Sequence, residues 1–102
     1  MNEQRPALSP SGCRDLIDRL LATPDSVVFT HHLRARSHER SFDAFDIRNV
    51  LSGGSASVHE WDANHQNWKY RVVGTDVDGD RLTLIVVLDD ELGVIKVITA
   101  YE

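Results

Sequence analysis

Residues 81 to 89 read RLTLIVVLD. Successive side chains on a strand face opposite ways, so Leu82, Leu84, Val86 and Leu88 share one face and Thr83, Ile85 and Val87 the other. Both sets are largely apolar, the pattern of a strand covered on both sides, and this places the segment at the centre of a sheet. Its neighbours extend the pattern. Upstream, NWKYRVVGT at 67 to 75 alternates along Tyr70, Val72 and Gly74. The DVDGD stretch at 76 to 80 joins the two as a turn, because Asp-Gly favours positive backbone angles. ASVHEW at 56 to 61 reads as an earlier strand. DELG turns the chain again, and VIKVITAYE at 94 to 102 reads as the last strand. Together they predict an antiparallel meander of four strands.

Before residue 55 the periodicity is helical. In SGCRDLIDRLLATP, Leu16, Ile17, Leu20 and Leu21 fall on one helical face and Pro24 closes the segment. SVVF at 26 to 29 reads as a short extended link, after which Thr30 can cap a polar helix. SFDAFDIRNVLSGG reads as a third helix, capped by Ser41 or Asp43 and ended by Gly53 and Gly54. Phe42, Phe45 and Asn49 run along one line of it, and Ile47, Val50 and Leu51 complete an apolar face. The expected fold class is α+β, with N-terminal helices packed on one face of a four-stranded antiparallel sheet. Residues 1 to 10 are expected to form a flexible tail and residues 11 to 102 a single domain.

The chain has 102 residues, 41% of them hydrophobic, which suits one compact core. No apolar run approaches the roughly 20 residues that span a bilayer, and the N-terminal residues do not resemble a signal peptide. Cys13 is the only cysteine, which fits a reducing cytoplasm. The formal net charge is −5. Residues 75 to 92 hold five aspartates and Glu91 against Arg81, a net −5, so the rest of the chain is neutral overall. This acidity sits at strand ends and turns.

The segment THHLRARSHERSF at 30 to 42 is unlike the other helices. From His31 to Arg40 only Leu33 and Ala35 are apolar. His32, Arg36 and Arg40 are spaced four apart and share one stripe, about 12 Å long in a helix. Such a stripe suits a phosphodiester. Arginine offers a planar, permanently charged fork for phosphate oxygens. Histidine can accept or donate a proton near neutrality, and neighbouring arginines favour its neutral form. A solvated helix face is the plain alternative.

The His-x-x-x-Arg-x-x-x-Arg pattern of His32, Arg36 and Arg40, preceded by an apolar pair and Thr30, resembles a small bacterial family, domain-of-unknown-function family 4258. Gly53, NHQNWKYRV with Trp68, GDRLTLIVVLDD, and VIKVITAYE with Thr99 and Tyr101 are similar to that family's later landmarks. The resemblance spans roughly residues 12 to 101. It implies a fold related to the RelE, ParE and BrnT toxins. RelE-like relatives are metal-independent endoribonucleases silenced by a partner antitoxin, and ParE-like relatives act on gyrase.

On that basis His32 is the candidate general base or acid, with Arg36 and Arg40 binding the phosphate as charge develops. Tyr70, Arg71, Thr99 and Tyr101 are the candidate supporting residues from the sheet. Tyr70 and Tyr101 equally suit a core or a dimer interface, and Trp61 and Trp68 suit packing or base stacking. No metal site or cofactor is expected: His32 and His38, like His59 and His65, lie six apart, outside helical ligand spacing. DVDGD lacks the downstream glutamate of a calcium loop. Two functions follow: a toxin-like endoribonuclease whose partners are RNA or a ribosome and an antitoxin, or a non-catalytic protein-interaction module. A homodimer is compatible with either.

Overall fold

The computed structural model describes residues 6 to 30 and 42 to 102. The elements run α1 (Pro10–Leu21), β1 (Val27–Phe29), α2 (Ala44–Gly53), β2 (Ser55–Asp62), β3 (Asn67–Thr75), β4 (Arg81–Asp89) and β5 (Val94–Tyr101). The expected polar helix at 31 to 40 lies outside the described residues.

Helix α1 starts where the Ser9 hydroxyl accepts the Gly12 N–H, with Pro10 at the helix's first position, where its missing N–H costs nothing. It buries Cys13, Ile17 and Leu20. Asp43 caps α2 through a capping box: its carboxylate accepts the Phe45 and Asp46 N–H groups, and Asp46 accepts the Asp43 N–H in return. Asp46 is consequently buried, while Phe45, on the expected apolar line, is 76% exposed. The C-terminal end of α2 is held by Arg14, which donates to the Leu51 and Gly54 carbonyls while paired with Asp18.

The sheet departs from the four-stranded antiparallel expectation. It has five strands in the order β1-β5-β4-β3-β2 and is mixed. The short SVVF stretch is not a link: Val27, Val28 and Phe29 pair in parallel with Ile95, Lys96 and Val97. Three residues are too few to display alternation, and the partner lies at the far end of the chain, so local pattern does not show the pairing. Strand β4 is central, as its two apolar faces require. Its helix-side row of Leu82, Leu84 and Val86 joins Val72, Ile95 and Val97 beneath Ile17, Val50 and Leu51 in one core. Helix α1 packs mainly on β2 and α2 on β3.

Two bulges interrupt the ladders. One lies in β2 between Val58 and Glu60, whose partners on β3 are the adjacent Tyr70 and Lys69. The other lies in β5, where Ile85 pairs with Thr99 and Val86 with Val97. Each extra residue bends its strand and sharpens the local twist.

Candidate functional site on the sheet

The register sorts the supporting residues expected from sequence. Arg71 pairs with Ser57 on one side and Ile85 on the other, and Ile85 pairs with Thr99. Two residues along β4, on the same face, Thr83 pairs with Val73 and Tyr101. Arg71, Thr99 and Tyr101 therefore lie on the sheet face opposite the described helices. Tyr70, next to Arg71 on the strand, must face the other way. It is 5% exposed, belongs to the core, and its hydroxyl accepts the Leu8 N–H at 3.0 Å. The catalytic candidates His32, Arg36 and Arg40 lie outside the described residues.

The structure adds one residue to this face. Arg71 Nη2 lies 3.1 Å from His59 Nδ1. A guanidinium only donates, so Nδ1 accepts, and a neutral imidazole then carries its proton on Nε2. His59 is the extra residue of the β2 bulge, between Val58 and Glu60. Alternation places His59 on the face of Ser57, but the register that pairs Ser57 with Arg71 joins two strands and is not readable from either one alone.

Cations on this part of the sheet are matched unevenly. Lys69 meets Glu60 at 3.7 Å and Asp62 at 3.8 Å, and Lys96 meets Asp89 at 3.6 Å. Arg71 has no carboxylate within ion-pair distance among the described residues. The spare N–H groups of Arg71 and the His59 Nε2–H thus form a donor set suited to an anionic oxygen. Thr99 and Tyr101 bring hydroxyls onto the same face, Thr99 lying two strands away, about 10 Å at the backbone.

Other conspicuous groups are accounted for by the fold. Trp61 and Trp68 pair edge to face with centroids 5.4 Å apart. His65 Nδ1 lies 2.8 Å from Asp62, and this contact, more than any other, holds the Asp62 carboxyl below its ordinary range. Burial pushes the Cys13 thiol up to about 11, which leaves it protonated and unreactive. In DVDGD, Asp76 accepts the Asp78 and Asp80 N–H groups, and Gly79 takes a φ of +92°. Among the described residues no group of three or more His, Cys, Asp or Glu is placed to hold a metal ion. No described helix is long and apolar enough to cross a membrane.

Residues 29 to 102 match the family model described as Domain of unknown function (DUF4258). The chain belongs to that family. The DUF4258 span begins at Phe29 and not near residue 12, so it holds the whole β2–β5 meander but leaves α1 outside. No curated protein and no solved structure matches the chain.

Proposed function

We propose that the face bearing Arg71 and His59 binds a phosphodiester, and that the protein is a toxin-antitoxin-like endoribonuclease related to the RelE, ParE and BrnT toxins. The observation that carries this reading is the Arg71–His59 donor pair, left without a carboxylate partner and sharing a face with Thr99 and Tyr101. His32 would take the proton of a ribose 2′-hydroxyl as that oxygen attacks the adjacent phosphorus. The 5′-oxygen would leave with a proton, giving a cyclic phosphate end. Arg36 and Arg40 would stabilise the extra charge, and Arg71 with His59 would hold the neighbouring phosphate. Such chemistry needs no metal ion and suits a cytoplasmic protein held in check by an antitoxin.

The test is incubation of the pure protein with RNA in chelator. Cleavage that His32→Ala abolishes and Arg71→Ala weakens is the expected result. Cleavage unchanged by both variants removes the assignment. The second reading, a non-catalytic interaction module that is free to dimerise, is favoured by the net charge of −5 and by the carboxylate pairing of Arg14, Arg19, Lys69 and Lys96. It predicts a single stable protein partner and no growth effect on overexpression.

A further inference from the structure

The contact between Arg71 and His59 depends on one protonation state. Arg71 Nη2 lies 3.1 Å from His59 Nδ1. The guanidinium is permanently charged and can only donate, so Nδ1 must be bare. An imidazolium has no bare nitrogen. Protonating His59 therefore does two things at once. It removes the acceptor, and it sets two like charges side by side. Imidazole is the side chain that changes charge near neutrality, so this exchange falls within the ordinary range of pH.

The surroundings decide what can replace the lost bond. Strand β2 lies at the edge of the sheet and pairs with β3 alone. Strand β3 brings two cations to this face, Arg71 and Lys69, and no carboxylate. On β2 the carboxylates are Glu60 and Asp62. Both already meet Lys69, at 3.7 Å and 3.8 Å, and Asp62 also meets His65 at 2.8 Å. Helix α1 packs on the other side of the sheet, so its Arg14, Asp15, Asp18 and Arg19 do not face His59. His59 and Arg71 are both exposed, and an anion in solution can reach them. Once His59 is charged, a group with two oxygens can take a donor from each side chain and offset the repulsion that the proton creates. The two non-bridging oxygens of a phosphodiester share one negative charge and form such a group.

We infer that the Arg71–His59 pair is a proton-linked anion site, at which a phosphodiester and a proton on His59 bind together and each strengthens the other. This rests on the phosphodiester reading of the face and adds its regulation by pH. The sign follows from reciprocity: a ligand that prefers the protonated pair binds more tightly as pH falls, and its binding draws the proton onto His59. Acid loads the site, and a rise in pH releases the ligand.

Thymidylyl-thymidine is the probe. It carries one phosphodiester, lacks the 2′-hydroxyl that strand cleavage requires, and keeps its charge constant between about pH 6 and about pH 8, the range in which imidazole titrates. Titrated into the full chain at constant ionic strength and followed by amide NMR at Ser57, Glu60 and Arg71, it should bind about fivefold more tightly at the lower pH. His59→Gln puts a neutral amide in place of the ring and should make the affinity equal at the two pH values. The other histidines titrate in both proteins, so the comparison isolates His59. The imidazole nitrogen NMR spectrum gives a readout without ligand: at about pH 8 the free chain should show His59 with its proton on Nε2 and Nδ1 bare. A proton on Nδ1 there overturns the inference. So does native binding that is equal at both pH values, or tightening that persists in His59→Gln. Saturable binding that is flat with pH removes this inference alone, whereas no saturable binding up to about 10 mM at either pH removes the phosphodiester reading with it.

Discussion

The two ends of the β3–β4 hairpin are built in opposite ways. At the turn end everything is tied. Asp76 N–H meets the Asp80 carbonyl at 2.8 Å, Asn49 donates to the Thr75 and Asp76 carbonyls, and the buried Asp46 accepts the Val77 N–H. At the other end the strands part after Tyr70 and Val86, and Asn67 Oδ1 is buried there without a hydrogen-bond partner. Carboxylates accept backbone N–H groups at both ends, Asp76 and Asp46 at the turn, Asp89 and Asp62 at the parted end. The difference is that at the parted end they also meet cations, Asp89 with Lys96 and Asp62 with Lys69.

The largest way to break this contrast is to remove what both ends share. Leu84 is fully buried in the middle of β4. Leu84→Ala should cost about 2 to 5 kcal/mol in urea unfolding, and both ends should be lost together. Asp46 probes the closed end alone. Hydrogen bonds from Val77 and Asp43 hold its carboxyl below the ordinary value of 3.8 despite burial. A folded-state pKa below the unfolded one adds stability above the unfolded value, and that stability is lost as pH falls through the folded pKa. Urea midpoints of the native chain should therefore drop below about pH 4, and Asp46→Asn should lower the midpoint at pH 7 and flatten that acid limb. An unchanged pH profile would show that the tie is not electrostatic.

Smaller changes sharpen the comparison at the branch itself. Tyr70→Phe deletes the acceptor for the Leu8 N–H and should cost about 1 kcal/mol, loosening the parted end first. Slowed amide exchange at Leu8 in the native chain, lost in the variant, checks it. Arg71→Ala should change stability by no more than about 0.5 kcal/mol, because the side chain is exposed, while lowering RNA affinity. A marked loss of stability there would identify Arg71 as structural.

Much of this scaffold was legible before any coordinates. The two apolar rows of RLTLIVVLD placed β4 at the centre, Asp-Gly marked its turn, and the 3.6 period of Leu16, Ile17 and Leu20 gave α1 its buried side. These are signals carried by neighbours in sequence. What escaped them is non-local or breaks a period. The three residues of β1 carry no pattern, and their parallel partner is remote. The bulges shift alternation by one, and the meeting of His59 with Arg71 depends on a register set between strands. Residue type alone groups Tyr70 with Arg71, and only the pleat separates them. Asp46 sits inside an apolar helical face because capping geometry, not hydrophobicity, buried it.

The parallel pairing of β1 with β5 has a kinetic consequence. Its contacts join positions such as Thr30 and Ile98, 68 residues apart, so they contribute high contact order to an otherwise local meander. The hairpins can form as the chain grows, but β1 has no strand to join until β5 exists. The transition state should therefore hold the β2–β5 meander and lack β1, and substitutions at Val27 should speed unfolding while leaving the folding rate nearly unchanged.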